Sequence, residues 1–257
     1  MSLMKKGIIM SGLTRQQDAF GWEIYDHFRG RHAQELAERD DGNIAATGGP
    51  AGYFAGIEDW SPIERKAIRL ARGRVLDVGC GAGRVLLHVQ SRGLEAVGID
   101  NSPLAVKVCR LRGAKHVRVL PFERVGLELG MFDTVVMYCN NFGLFGSFAR
   151  AKRLLRRLHG MTTPRARILA STTDPYRTSD PKHLAYHRRN RARGRMGGQI
   201  RLRIRYKDYA TPWLDYLLVS KREMAEILDG TGWRLARCFE GHGGRYVAVI
   251  EKTSERT

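Results

Sequence analysis

Val75-Leu76-Asp77-Val78-Gly79-Cys80-Gly81-Ala82-Gly83-Arg84 is the stretch on which the fold turns. The apolar run from Arg74 to Val78 reads as a buried strand. Glycines then fall at every second position, and Val85, Leu86 and Val89 follow at helical spacing. Strand, glycine turn and helix together make a nucleotide site. Glycine tolerates positive φ and lets the backbone approach a ligand closely, and the first N–H groups of the following helix are unpaired. A dinucleotide fold wants Gly-x-Gly-x-x-Gly. Gly79 and Gly81 fit that pattern, but Arg84 stands at its last position. The spacing is Gly-x-Gly-x-Gly, with Asp77 two residues before the first glycine. An acid there suits a cationic ligand rather than a pyrophosphate. The alternative, a plain strand-to-helix turn, is decided by the surrounding sequence.

A second strand, Ala96-Val97-Gly98-Ile99, ends in Asp100, 23 residues after Asp77. Asn101 and Ser102 follow, and Pro103 opens a helix that stops at Gly113. An acid at the end of the second strand of a nucleotide fold is placed to accept from both ribose hydroxyls, and Ser102 is the better helix cap. Phe132 to Met137 is a further strand, with Tyr138-Cys139-Asn140-Asn141-Phe142-Gly143 after it. Val75 to Gly83, Val97 to Pro103 and the Phe132-Asp133 strand start closely resemble class I S-adenosylmethionine-dependent methyltransferases. The resemblance implies an α/β, doubly wound seven-stranded sheet of order 3-2-1-4-5-7-6 with strand 7 antiparallel. To this the chain adds an N-terminal helical cap and an insertion after strand 5. It implies S-adenosylmethionine as cofactor. Gly79, Cys80, Gly81 and Gly83 would wrap it, Asp77 would help hold its methionine amino group, and Asp100, with Asn101 beside it, would take the ribose. Asn140 and Asn141 would face the methionine end and the substrate. Many relatives carry an acid after the third strand that accepts from the adenine amino group. This chain departs from that pattern with Pro121-Phe122-Glu123, so the backbone of Phe122 or the Glu123 side chain is the expected substitute.

At 257 residues, one domain or one plus a cap is the default. We expect residues 1–60 to form the helical cap or lid and residues 61–257 the cofactor-binding domain, with the insertion at 176–215. No run approaches the ~20 apolar residues of a membrane span. Met1 to Met10 has only a three-residue apolar run after Lys5-Lys6, too short for a signal peptide. The four cysteines, Cys80, Cys109, Cys139 and Cys238, show no C-x-x-C spacing, so neither zinc nor a disulfide framework is indicated and a cytoplasmic location is expected. The net charge of +18 is unevenly placed: residues 147–207 carry 18 Lys and Arg against only Asp174 and Asp180. Such asymmetry raises the question of an anionic partner.

Residues 14–39 read as an amphipathic helix, with Phe20, Ile24 and Phe28 in register. Residues 40–56 read as a loop in which Tyr53-Phe54 either pin the loop to the core or belong to a lid closing over substrate. Ser61-Pro62-Ile63-Glu64 is a helix start with a capping box. Gly146 to Gly160 is a basic helix and Arg167 to Thr172 the fifth strand. Asp174-Pro175-Tyr176 invites comparison with the Asp/Asn-Pro-Pro-Tyr signature of amino-group methyltransferases acting on nucleic-acid bases. That signature follows strand four and has two prolines, so the match is rejected. Residues 177–197 are Arg-rich and aperiodic. Ile200, Leu202, Ile204 and Tyr206 then alternate with Arg201, Arg203 and Arg205, making a strand with one apolar and one arginine face, and Trp213 to Val219 is its candidate antiparallel partner. Ser220 and Glu223 form a second capping box, and a terminal hairpin follows.

Methyl transfer asks mainly for positioning, because the sulfonium already activates the methyl group. A general base is needed only where the acceptor keeps a proton that must leave. His187, His183, Tyr176 and Asp174 are candidates, none fixed by spacing, so no catalytic residue is assigned. Tyr53, Asn141, Tyr176 and His187 are the substrate-pocket candidates. The favoured acceptor is a small molecule enclosed by the N-terminal segment and the insertion. RNA bound by the basic 147–207 segment is the alternative. It is weakened because nucleic-acid sites interleave arginines with stacking aromatics, and residues 177–205 offer only Tyr186. A cofactor-binding protein without turnover is the third reading.

Overall fold

The computed structural model describes residues 12–253; the Met1 to Met10 stretch read for a targeting signal lies outside the described residues. The longest helix of the N-terminal segment is α1 (Ala19–Phe28). Asp18 caps it: the Gly21 N–H donates to Asp18 Oδ1 at 3.1 Å, while the Leu104 N–H donates to Oδ2 at 3.0 Å. One side chain thus fastens α1 to the core. The helix expected over 14–39 stops at Phe28 because Gly30, at φ 73°, closes it as a left-handed C-terminal residue. The chain then forms a hairpin of β1 (Leu36–Arg39) and β2 (Ile44–Ala46), followed by the single turn α2 (Ala51–Phe54).

Next come α3 (Pro62–Ile68), β3 (Val75–Val78), α4 (Arg84–Ser91), β4 (Ala96–Asp100), α5 (Pro103–Leu111), β5 (Val117–Val119) and β6 (Phe132–Met137). After them lie α6 (Phe148–Gly160), β7 (Thr162–Thr173), α7 (Pro181–Ala192), β8 (Gln199–Tyr206), β9 (Tyr209–Ala210) and β10 (Leu214–Leu217). α8 (Lys221–Leu228), β11 (Trp233–Glu240) and β12 (Arg245–Lys252) end the fold. At α3 the Ser61 Oγ accepts from the Glu64 N–H, but the Glu64 carboxylate turns to the Ser61 hydroxyl and Arg84 rather than back to the cap N–H. The Ser220–Glu223 box is complete.

Seven strands form one sheet in the order β5-β4-β3-β6-β7-β12-β11. Counted within the sheet this is the expected 3-2-1-4-5-7-6, and its seventh strand, β12, runs antiparallel to β7. Side chains alternate across it, as a doubly covered parallel sheet requires. Leu76, Val78, Val97 and Val135 pack with Leu154, Leu155 and Leu158 of α6 and Met224 of α8. Val75, Ala96 and Val136 pack on the other side with Ala67 of α3, Leu86 of α4 and Val106 of α5.

A second, antiparallel sheet takes the order β10-β8-β1-β2, with β9 on β8. It joins the N-terminal segment to the insertion: Leu36 pairs with Arg205 and Glu38 with Arg203. β8 alternates as its sequence predicts. Arg203 and Arg205 both reach Glu38, at 2.9 and 3.2 Å, on the face opposite Leu202 and Ile204. The insertion is not irregular: Asp180 caps α7, its Oδ1 accepting from the Lys182 N–H at 2.8 Å. The buried residues of α7 are Tyr186, His187 and Asn190. Asn190 Nδ2 donates to the Gly197 and Gln199 carbonyls. A helix held by polar contacts leaves no apolar period in the sequence. Among the described residues no helix is long and apolar enough to cross a membrane.

Candidate active site

The glycine turn is shaped by what surrounds it. Gly79, Gly81 and Gly83 have φ of 70°, 52° and 87°, a region that costs other residues about 1–2 kcal/mol. A Cβ on Gly79 would stand 2.5 Å from Asn141 Nδ2, and one on Gly83 2.5 Å from Cys109 Sγ. At Gly81 the nearest atom would be the Phe20 ring at 3.8 Å, so this backbone is bare toward the space above it. The Gly81 N–H donates to Asp100 Oδ2 and the Ser102 N–H to Asp100 Oδ1, both at 2.9 Å. Each Asp100 oxygen keeps a lone pair for a further donor. Burial pushes Asp100 up to about 6, against the pull of those N–H groups. Burial, and then the charge of Asp100, push Asp77 up to about 7. Asp77 Oδ2 is buried and has no hydrogen-bond partner among the described residues. An orphaned carboxylate oxygen beside bare glycine backbone is the arrangement that an ammonium group and a diol complete. The residues therefore fit S-adenosylmethionine.

A cavity of about 470 Å³ opens at the C-terminal ends of β3, β4 and β6, within the size range of small-molecule sites. The second sheet roofs it with Leu202, Ile204, Trp213 and Tyr216, while Phe20, Glu35 and Tyr53 of the N-terminal segment form a wall. Below, Cys139 and Asn140 take left-handed φ of 58° and 63°, strain of order 1–3 kcal/mol each that the surroundings hold. The Asn140 N–H donates to Ser171 Oγ at 2.8 Å, and Tyr216 Oη donates to the Asn140 carbonyl at 2.6 Å. Asn141 Nδ2 donates to the Val78 and Gly79 carbonyls at 2.9 and 3.1 Å, tying the β6 loop to the glycine turn. Arg84 lies 2.8 Å from Glu64, over the Trp60 ring at 4.4 Å, and 3.5 Å from Cys139 Sγ.

Of the residues singled out from the sequence, Asp77, Gly79, Cys80, Gly81, Asp100, Asn101, Phe122, Tyr53 and Asn141 line this cavity. Gly83 sits behind it as the residue preceding α4. The Asn140 side chain points to Thr173, whose Oγ donates to Asn140 Oδ1 at 3.2 Å. Phe122 packs edge-on against Phe145, and Glu123 is paired with Arg150. Tyr176 and His187 lie together outside the cavity, ring centroids 5.4 Å apart, with Tyr176 Oη donating to Glu223 at 2.5 Å. Burial, and then Arg191, lower the His187 pKa. Asp174 accepts from the Tyr176 N–H, and His183 faces Thr178, so none of the four candidate bases lines the cavity. Glu35, Trp213 and Tyr216 were not found from the sequence. The usable signal was the apolar face of β8, which needs something to cover and neighbours to cover it with.

A family model described as a methyltransferase domain matches residues 75–165. An S-adenosylmethionine-dependent methyltransferase from Bacteroides fragilis, solved with S-adenosyl-L-homocysteine, superposes with a TM-score of 0.81 at 26% identity, covering 95% of this chain and 98% of that one. The CcbJ methyltransferase of Streptomyces caelestis shares the fold at a TM-score of 0.55 and 15% identity, covering 77% of this chain and 95% of its own. The ubiquinone biosynthesis O-methyltransferase of Histophilus somni is 28% identical over 98 residues, which are 36% of this chain and 41% of that protein. The protein of the same name from Bordetella parapertussis is 34% identical over 79 residues, 28% of this chain and 33% of its own. The chain thus spans less than half the length of these curated relatives. In the sheet order, the glycine turn and the two strand-end carboxylates, as in these matches, the chain is similar to the class I S-adenosylmethionine-dependent methyltransferases.

Proposed function

We propose that this protein transfers the methyl group of S-adenosylmethionine to a small-molecule acceptor held between the C-terminal ends of β3, β4 and β6 and the roof sheet. The observation that carries this reading is one continuous cavity running from Asp77, Gly81 and Asp100 to Leu202, Ile204, Trp213 and Tyr216. Asp77 takes the cofactor's ammonium, Asp100 its ribose hydroxyls, and the Gly79 to Gly83 backbone lies along it. When bound, the cofactor supplies a methyl group activated by positive sulfur. The work left to the chain is positional. The Asn141 amide and the strained Cys139-Asn140 turn set the floor on which the acceptor rests, and the roof excludes water and limits its approach.

The curated relatives are named for O-methylation in ubiquinone biosynthesis, which favours a small acceptor, but they resemble only about a third of this chain. RNA is the weaker reading. Arg203 and Arg205 share Glu38, and Arg203 also lies over the Trp213 ring at 4.8 Å, so part of the arginine face is already engaged. All four cysteines are free, which suits a reducing cytoplasm. Calorimetry with S-adenosylhomocysteine, with NAD as control, followed by turnover of S-adenosylmethionine on phenolic and amine acceptors, tests the proposal. Binding of NAD without response to the sulfur compound would refute it. So would turnover on RNA alone, and so would cofactor binding with no turnover on any acceptor.

A further inference from the structure

Three elements converge on one wall of the cavity. Glu23 comes from α1, Glu35 stands just before β1, and Tyr53 is on α2. Glu23 is 0% and Glu35 2% exposed. The Glu35 N–H donates to Glu23 Oε1 at 3.0 Å, and Tyr53 Oη donates to Glu35 Oε1 at 3.2 Å. The Oε2 atom of each glutamate has no hydrogen-bond partner among the described residues. Glu35 and Tyr53 line the cavity. The chain holds 44 Lys and Arg, yet none of the ion pairs among the described residues involves Glu23 or Glu35. The two arginines that do line the cavity, Arg84 and Arg150, are already paired with Glu64 and Glu123.

A buried carboxylate without a cation is costly, and proteins normally pair it or keep it protonated. Here burial, and then the Glu35 charge beside it, push Glu23 up to about 9. Glu35 lines the ligand space and has no basic partner among the described residues. Phe20, Trp213 and Tyr216 line the same cavity, and aromatic faces also attract cations.

We propose that Glu35, backed by Glu23 and Tyr53, is the subsite that receives a protonated amine of the acceptor; this deepens the reading above and rests on it. The acceptor is then an apolar, ring-sized body carrying an ammonium group that Glu35 receives.

The test uses two probes that differ in the charged group, tyramine and 4-ethylphenol. Their binding to the full chain is measured by ligand-observed NMR with S-adenosylhomocysteine saturating. A charge-assisted contact predicts tyramine tighter by about tenfold or more. Glu35→Gln, which keeps the side-chain volume, should bring the two probes within about twofold of each other, with S-adenosylhomocysteine affinity unchanged. Equal binding of the two probes to the parent overturns the proposal. So do undetectable tyramine binding at ~10 mM and a preference that survives Glu35→Gln. Should Glu35→Gln fail to fold, the comparison on the parent protein decides alone. Failure of the parent to bind S-adenosylhomocysteine would instead sink the methyl-transfer reading, which separates the two failures.

Discussion

Asp100→Asn is nearly isosteric, yet it should damage both the cofactor site and the fold beneath it. Asp100 accepts at both oxygens, from the Gly81 N–H and the Ser102 N–H, each at 2.9 Å. An amide offers one oxygen, so its NH₂ must face one of these buried N–H groups. Leaving that donor unpaired costs about 1–3 kcal/mol of stability. At about 2–4 °C per kcal/mol for a domain of this size, the melting temperature should fall by several degrees. The ribose separately loses a charge-assisted hydrogen bond of about 1.5–3 kcal/mol, which is roughly a 10- to 150-fold rise in Kd. Scanning calorimetry reads the first effect, and titration with S-adenosylhomocysteine well below the new melting temperature reads the second. A variant that melts like the parent and binds within about twofold of it would show that Asp100 holds neither the turn nor the ribose.

Cofactor affinity should depend on pH through Asp77 and Asp100, pushed up to about 7 and about 6 in the free protein. The ammonium and the diol need the ionised carboxylates, so affinity is full above pH 7 and falls as pH drops through 7 and 6, approaching about tenfold per unit per proton displaced; a flat calorimetric profile from pH 5.5 to 7.5 would contradict this. Gly83→Ala should cost about 2 kcal/mol or more in urea unfolding, from its φ of 87° and the Cys109 sulfur in the way. Gly93→Ala, at φ 76° with open space around it, should cost only about 1 kcal/mol, and equal losses would refute the packing argument. Arg201→Ala/Arg203→Ala should have little effect on a labelled RNA strand, whose binding to the parent is expected to be weak and to vanish near physiological salt. Tight anisotropy signals that survive that salt and fall in the double variant, with a salt slope changing by roughly 0.7 per lost phosphate contact, would promote RNA as acceptor.

The seven-stranded sheet was legible because its signals are local. Each strand is an apolar run of a few residues, each glycine turn follows at fixed spacing, and Asp77 and Asp100 stand at strand ends where the topology brings them side by side. The roof was half legible. β8 declared itself by alternation, and its partner β10 was found beside it. The β1–β2 hairpin was not, because its residues are half-exposed or exposed and the strand that anchors it, β8, lies far away in sequence. The apolar period of Phe20, Ile24 and Phe28 located α1, but the sequence reading carried the helix on past Gly30, which ends it. α7 was missed for the opposite reason, since its buried side consists of Tyr186, His187 and Asn190 and repeats no apolar pattern. Glu23 and Glu35 both fall within the stretch 14–39 that reads as one helix. Only the turn back of the chain after Phe28 brings them together.

Glu38 on β1 meets Arg203 on β8 across 165 residues. During synthesis at roughly 5–20 residues per second, β1 leaves the ribosome about 10–30 s before its partner exists. The core strands from β3 to β7 emerge within that interval and can collapse on one another. The short β1–β2 hairpin cannot persist alone. It carries Leu36 and Ile44, 39% and 52% exposed even in the finished fold, on strands that present an open edge. A nascent chain therefore spends its most vulnerable seconds with this edge waiting for β8, and slower translation of residues 40–200 lengthens the exposure to neighbouring chains. Building the roof from both sides of the sequence delays its assembly until β8 has been made.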